Sequence, residues 1–313
     1  DTTLKSIDSK HKSEVINQFN DHQSLNKLLV KINLHLFKYK EAITLDYDTT
    51  LLHNEKIDSR NTYKQERGYN PGVTMCGNTI LDVEMRNGNS SPKYRMKETI
   101  FRVIKNLKKE KVKVARIRID SAGYNKVLMD HLDREGIEFF IRPRENEELY
   151  MEMTDLVKAW KQVTVKQIDY ELASYDYVPH GCHEQYRVVM VRTKLPYKEF
   201  RHKYVEDNYS YRGIITNNKN MTDEEVFRFY NQRGNEEKNF DDLKNNFNWK
   251  RMPFSHLNEN TVFLIIQSIA KVIYEYLLLF FSGKVSFVDT KNRLNKFSCI
   301  YLVLKINTKT LIF

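Results

Sequence analysis

The apolar positions Leu25, Leu28, Leu29, Ile32, Leu34 and Leu36 recur near helical spacing, so residues 1–40 read as a helical segment. At Ala42 the period changes. Ile43, Leu45 and Tyr47 alternate with Thr44, Asp46 and Asp48, which predicts a strand over Ala42 to Asp48. Asn70-Pro71-Gly72 signals a turn, and Val73 to Cys76 and Thr79 to Met85 come next as two short strands joined at Gly77-Asn78. Tyr94 to Glu110 has the pattern of an amphipathic helix, with Ile100, Phe101, Val103, Ile104 and Leu107 inward and lysines outward. Val112 to Ile119 reads as a strand ending at Asp120, Tyr124 to Arg134 as a helix closed by Gly136, and Ile137 to Ile141 as a further strand. This order implies a mixed sheet with helices packed on it.

Residues 146–220 change character. Tyr186 to Thr193 and Tyr211 to Thr216 are strand-like, and no helical repeat persists after about residue 165. Thr222 and Glu225 form a capping-box pattern, which predicts one long helix from Thr222 to about Phe247. A second long helix, from about Glu259 to Phe281, is expected to pack behind it.

Lys and Arg outnumber Asp and Glu by 51 to 41, a formal net charge of +10, which suggests a polyanionic partner. The bland alternative is a basic but inert surface. Hydrophobic residues make up 41% of the chain, enough for a sizeable core, and scarce Gly and Pro exclude a collagenous or Pro-rich disordered chain. Cys76, Cys182 and Cys299 form no C-x-x-C pair, and Cys182-His183 lacks a second ligand pair, so a structural zinc site is rejected and a reducing compartment expected. The apolar run Val262 to Phe281 is long enough to span a bilayer but contains Lys271 and Glu275. A charge at a span's centre costs about 3 kcal/mol, so the run reads as a buried helix.

The chemistry concentrates in the helix after Thr222. On an unbroken helix Tyr230, Arg233, Glu237 and Lys244 fall within about 60° of one another, spread over roughly 21 Å. One stripe then presents a phenol, a guanidinium, a carboxylate and an ammonium. A solvated stripe with an Arg233–Glu237 pair is the plainer reading, worth only a few tenths of a kcal/mol. Gly234 costs a helix about 1 kcal/mol relative to Ala, and such a glycine often marks close approach to a partner.

This segment fits every spacing of Y-x2-R-x3-E-x6-K, and so resembles the bacterial insertion-sequence transposases of the DDE type that carry that signature. The resemblance implies that Glu237 is the third acidic residue of a catalytic triad and that Tyr230, Arg233 and Lys244 hold the DNA backbone at the transposon end. The family's first aspartate ends a hydrophobic strand and is followed by Thr. Asp48-Thr49-Thr50 resembles that block and selects Asp48, with Asp46 on the same strand face as the other candidate. Ile117-Arg118-Ile119-Asp120-Ser121-Ala122-Gly123 resembles the second block and implies Asp120. The plainer role for Asp120 is an N-cap of the next helix. An aromatic early in the insertion can stack on a displaced base in these enzymes, which points to Trp160, although a core role is the simpler one.

The implied fold is α/β: a ribonuclease H-like mixed sheet flanked by helices, with a β-rich insertion before the last catalytic helix. The expected division is a helical segment over 1–40 (a remnant of an end-binding region), a catalytic domain over 41–145 and 221–285, an insertion over 146–220 and a tail over 286–313. The expected activity is metal-dependent cleavage and strand transfer at insertion-sequence ends. Asp48, Asp120 and Glu237 would bind two Mg2+ ions, with Mn2+ able to substitute, about 3.5–4 Å apart on the attacking and leaving oxygens. Expected partners are double-stranded DNA, as transposon ends and target, and a second copy in a homodimeric synaptic complex. The expected location is the bacterial cytoplasm, at the nucleoid when bound to DNA. A truncated or inactive DNA-binding remnant and a ribonuclease H-like nuclease without strand transfer are the competing readings.

Overall fold

The computed structural model describes residues 18–39, 41–143, 159–179, 181, 184–194 and 209–282, with only the backbone at 235 and 236. The predicted helix at 1–40 is seen from residue 18 onward, as β1 (Phe19–Asn20) and α1 (Gln23–Phe37). The alternating segment forms β2 (Ile43–Thr49). Three short strands unforeseen in the sequence come after it: β3 (Leu52–His53), β4 (Arg60–Asn61) and β5 (Arg67–Tyr69), a separate small sheet in the order β3-β5-β4. The expected hairpin is β6 (Gly72–Cys76) and β7 (Thr79–Arg86), turned at Gly77 with φ 59. Then come α2 (Met96–Lys109), β8 (Val114–Ile119), α3 (Lys126–Arg134) and β9 (Glu138–Ile141). Gly136, with φ 67, closes α3 as expected.

The β-rich stretch supplies β10 (Lys161–Val165), β11 (Ile168–Tyr177), β12 (Tyr186–Lys194) and β13 (Tyr209–Thr216). All belong to one ten-stranded sheet of order β1-β7-β6-β2-β8-β9-β13-β12-β11-β10. The pairs β2/β8 and β8/β9 are parallel, and every other pair is antiparallel. An antiparallel meander that continues into parallel βαβ units is the ribonuclease H-like order.

Strand alternation sorts the two faces. Ile43, Leu45 and Tyr47 of β2 and Ile117 and Ile119 of β8 are buried in one core with Ile100, Val103 and Leu107 of α2 and Leu128 and Leu132 of α3. The opposite face receives the last helices: α4 (Asp223–Asn231), α5 (Asn235–Asn246) and α6 (Leu257–Ser282). Val226 and Phe227 of α4 pack with Phe140, Val189 and Ile214. Phe240, Leu243 and Phe247 join Leu264, Ile265 and Val272 of α6 over Val73, Met75 and Val83. The edge of β7 is covered by α1. Two buried asparagines a pair of turns apart, Asn26 and Asn33, donate to the carbonyls of Val83 and Ile80 at 2.8 and 2.7 Å. That satisfies backbone groups an open edge would leave unpaired.

The long helix expected from Thr222 to Phe247 is instead two helices, α4 and α5, separated by a 3-10 turn at Gln232–Gly234. Its start has the capping box that the sequence predicts. Thr222 Oγ1 accepts from Glu225 N at 3.3 Å, and Glu225 Oε2 accepts from Thr222 N at 2.7 Å. The end of α4 is pinned to the sheet. Arg118 Nη1 donates to Phe229 O at 2.7 Å and Tyr230 Oη to Ile119 O at 3.2 Å. A 3-10 turn advances about 120° per residue against 100° for an α-helix, so three such residues rotate the faces of α5 by about 60°.

Among the described residues α6 is the helix long and apolar enough to cross a membrane. Lys271 at its centre is 1% exposed and sits 3.0 Å from Asp242 Oδ2 and 2.7 Å from Glu275 Oε1. One face of α6 packs against β7, α1 and α5, in line with the buried-helix reading of the run.

Candidate active site

Tyr47 is in register with Ile119, so the next residue on each strand, Asp48 and Asp120, stands at adjoining carboxyl ends of parallel β2 and β8. Both lie on the face opposite the α2/α3 core by strand parity. Carboxyl ends of parallel strands are where open α/β sheets place ligands. Asp120 accepts from Ala122 N at 2.9 Å and caps the 3-10 turn Ser121–Gly123, while Asn125 caps α3. The capping role therefore exists but serves the turn, not the helix.

The two aspartate candidates on β2 differ sharply. Asp46 is 3% exposed and bound in bidentate fashion by Arg118, Nε to Oδ1 and Nη2 to Oδ2, both at 2.6 Å. Arg118 in turn holds α4 through Phe229 O and lies over the Phe229 ring at 4.8 Å. Asp46 thus fixes the helix to the strand. Asp48 opens into the site: Oδ1 accepts from Thr49 N at 2.8 Å, and Oδ2 is 2.9 Å from Arg233 Nη2.

Two cavities meet at this pair of carboxylates. One, of about 610 Å3, is lined by Asp48, Asp120, His53, Tyr63, Lys64, Lys244 and Lys250. The other, of about 320 Å3, is lined by Asp48, Asp120, Arg142, Arg212, Tyr230 and Arg233. The structure therefore brings together Asp48, Asp120, Tyr230, Arg233 and Lys244. It does not bring in Glu237, which is exposed in the first turn of α5 and lines neither cavity. The stripe drawn on an unbroken helix fails at the 3-10 turn. Gly234 has nothing within 4 Å of a built Cβ, so no close approach within the chain requires it. Among the described residues no three His, Cys, Asp or Glu side chains stand close enough to hold a metal ion. Asp48 and Asp120 offer the hard oxygen donors a divalent cation prefers, and Glu237 stands apart from them.

Burial lowers the Lys244 ammonium pKa, with Lys250 and Lys64 adding repulsion and Asp241 opposing them. Trp160 carries the Arg192 guanidinium over its ring at 4.1 Å and packs half-buried by Tyr211. It lines neither cavity, and the core role describes it. Cys182, His183, Cys299 and the tail over 286–313 lie outside the described residues.

Residues that sequence reasoning missed are Arg118, Lys64, Lys250, Arg142 and Arg212. Arg118 was legible in principle: it alternates with Ile117 and Ile119, which places a charge on the same face as Asp46.

Comparison with known proteins adds the lineage. The model of the family described as transposase DDE domain group 1 matches residues 4–294. No curated protein matches the chain significantly. Among solved structures, a piggyBac transposase synaptic complex with hairpin DNA, determined by cryo-EM, aligns at 11% identity and a TM-score of 0.45. The alignment covers 82% of this chain and 52% of that one, so the chain spans about half the length of the structure it matches. The family match runs through β2, β8 and the α4–α5 segment alike, and on it the chain belongs to the transposase DDE domain group 1 family.

Proposed function

We propose that the chain is a DNA transposase that cuts and rejoins DNA at the ends of an insertion sequence by metal-dependent phosphoryl transfer. The observation that carries this reading is the juxtaposition of Asp48 and Asp120 at adjoining strand ends between two basic cavities, in a chain of this family. Asp48, Asp120 and Glu237 are the proposed catalytic and metal-binding residues. Asp48 and Asp120 would hold divalent ions, Mg2+ or Mn2+, with Glu237 joining as the start of α5 shifts. Two such ions stabilise charge on the attacking and leaving oxygens of a phosphodiester. Arg233 and Lys244, with Tyr230 beside Arg233, position the DNA backbone and need not read sequence. Arg233 sits on Asp48, so a cation or a phosphate arriving there would compete for an existing partner.

The same proposal assigns 41–145 and 221–285 to the catalytic unit, 146–220 to an insertion that lengthens its sheet, 1–40 to an N-terminal helical segment and 286–313 to a tail. Its partners are double-stranded DNA and a second copy of the chain, in the bacterial cytoplasm.

The test is a Mg2+-dependent cleavage assay on DNA carrying the terminal sequences of the encoding element. Asp120→Asn and Glu237→Gln should each lose roughly a thousandfold in rate, the several kcal/mol that metal-held charge supplies. Glu237→Gln with wild-type activity would remove Glu237 from the site, and an inert wild-type chain would sink the catalytic reading.

A further inference from the structure

The larger cavity carries more positive charge than the proposed site residues explain. Lys244 is the backbone contact proposed above, but Lys64 and Lys250 line the same 610 Å3 space from different segments. Lys64 sits at the tip of the β4–β5 turn. That turn is shaped by Thr62, whose N donates to Glu66 O at 2.8 Å and whose Oγ1 accepts from Lys64 N at 3.2 Å. The small sheet is anchored at its base. Arg67 Nη2 donates to Lys56 O and Ser59 O at 2.9 and 3.0 Å, and Asp58 Oδ2 accepts from Leu257 N at 2.8 Å at the start of α6. Lys250 lies just past buried Trp249, beyond the end of α5, and its Nζ donates to Asn245 Oδ1 at 2.8 Å. Lys64 and Lys250 are close enough to Lys244 to disfavour its charge. Like charges gathered from three segments repel, and an anion between them relieves that. Tyr63, next to Lys64, is 75% exposed on the same wall, a large ring left in water beside the cations.

We propose that Lys64, Lys250 and Tyr63, with Lys244, form a cradle for the DNA strand entering the Asp48/Asp120 site, the lysines on successive phosphates and Tyr63 against a base. Cations along the backbone with an aromatic face between them suit a strand whose bases are partly unstacked. The small β3-β5-β4 sheet then serves to carry Lys64 and Tyr63 to the wall facing α5. This inference rests on the reading of the chain as a DNA-binding transposase, and the experiment separates the two.

The probes are a 20-base-pair duplex of arbitrary sequence and one of its single strands, titrated by fluorescence anisotropy from about 0.05 to 0.3 M salt. Each lost phosphate contact should lower the duplex slope of log K against log salt by about 0.9, and affinity at 0.1 M salt by roughly eightfold. Lys64→Gln and Lys250→Gln are each expected to show this. Lys108→Gln makes the same charge change on the far face, where Lys108 pairs with Glu135 at 3.0 Å, and should leave the slope intact. Tyr63→Ala should weaken single-strand binding about tenfold while Tyr63→Phe retains it. A wild-type chain that binds DNA with a salt-dependent affinity, but is unaffected by Lys64→Gln and Lys250→Gln, overturns the cradle and leaves the functional reading standing. Equal losses in Lys108→Gln also overturn the cradle, because bulk charge would explain them. A wild-type chain that binds neither probe overturns both.

Discussion

Two aspartates two residues apart on one strand face do opposite jobs. Asp46 is sealed with Arg118, and removing it strands a guanidinium that is 8% exposed. Breaking a buried pair by deleting one partner costs about 3–5 kcal/mol. Asp46→Ala should therefore lower the unfolding midpoint steeply. It should also loosen α4, because Arg118 carries the Phe229 carbonyl. Asp48→Asn removes one carboxylate from a half-open site and should change stability by less than about 1 kcal/mol, while abolishing cleavage. Chemical denaturation of both variants checks this, and the reverse order of stabilities would overturn the structural role assigned to Asp46. A second steric prediction lies behind the site. A Cβ on Gly72 would fall 2.3 Å from Tyr47 Oη and 2.5 Å from Glu84 Oε1, inside a buried network. Gly72→Ala should lose about 1–3 kcal/mol, the usual cost of overpacking, measured by thermal unfolding.

At the scale of elements, the decisive feature is the break between α4 and α5. Gly234 has φ −57 and ψ −10 and open space at its Cβ, so the fold itself does not need glycine there. Gly234→Ala should hold or raise stability, by up to about 1 kcal/mol of helix propensity. If DNA approaches that backbone, cleavage falls in the same variant; a drop in stability instead would show that the turn depends on the glycine. Periodicity made β2, β6 to β9, β12, β13, α2, α3 and α6 legible, because each buries a continuous face and the pattern records it, whereas β1, β10 and β11 were not marked individually. The break was not legible. Tyr230, Arg233, Glu237 and Lys244 keep helical spacing through it, and the cause of α4's ending is tertiary: Arg118 and the Ile119 carbonyl, more than a hundred residues upstream, hold its last turn. The small sheet escaped for a related reason. Its strands are two or three residues long, too short for alternation to register. Asp48, Asp120, Tyr230, Arg233 and Lys244, marked in the sequence by motif spacing, line the two cavities in the fold. Glu237 belongs to the same motif, and the 3-10 turn at Gln232–Gly234 leaves it outside both cavities.

Across the whole molecule, the elements around the sheet edge are joined through one charged knot. Arg102 of α2 pairs with Asp82 of β7, Nη2 to Oδ1 at 2.6 Å, and with Asp21 just before α1. Asp82 is 1% exposed, and burial outweighs the Arg102 attraction, pushing its pKa up from the ordinary 3.8 to about 7, with nearby Glu84 and Asp21 adding to the rise. The folded chain therefore keeps a proton that the unfolded chain releases. Stability from this group is fully present below pH 4 and is lost as pH rises through about 7. Acidifying from pH 8 to pH 5 should then stabilise the fold through Asp82, against the usual trend for paired carboxylates. Urea unfolding at several pH values, with wild type and Asp82→Asn compared, isolates the contribution: the difference in unfolding free energy between the two should shift in favour of wild type toward pH 5. Parallel curves would mean that Asp82 stays ionised beside Arg102, and that the knot joining α1, α2 and β7 is held by charge at every pH in that range.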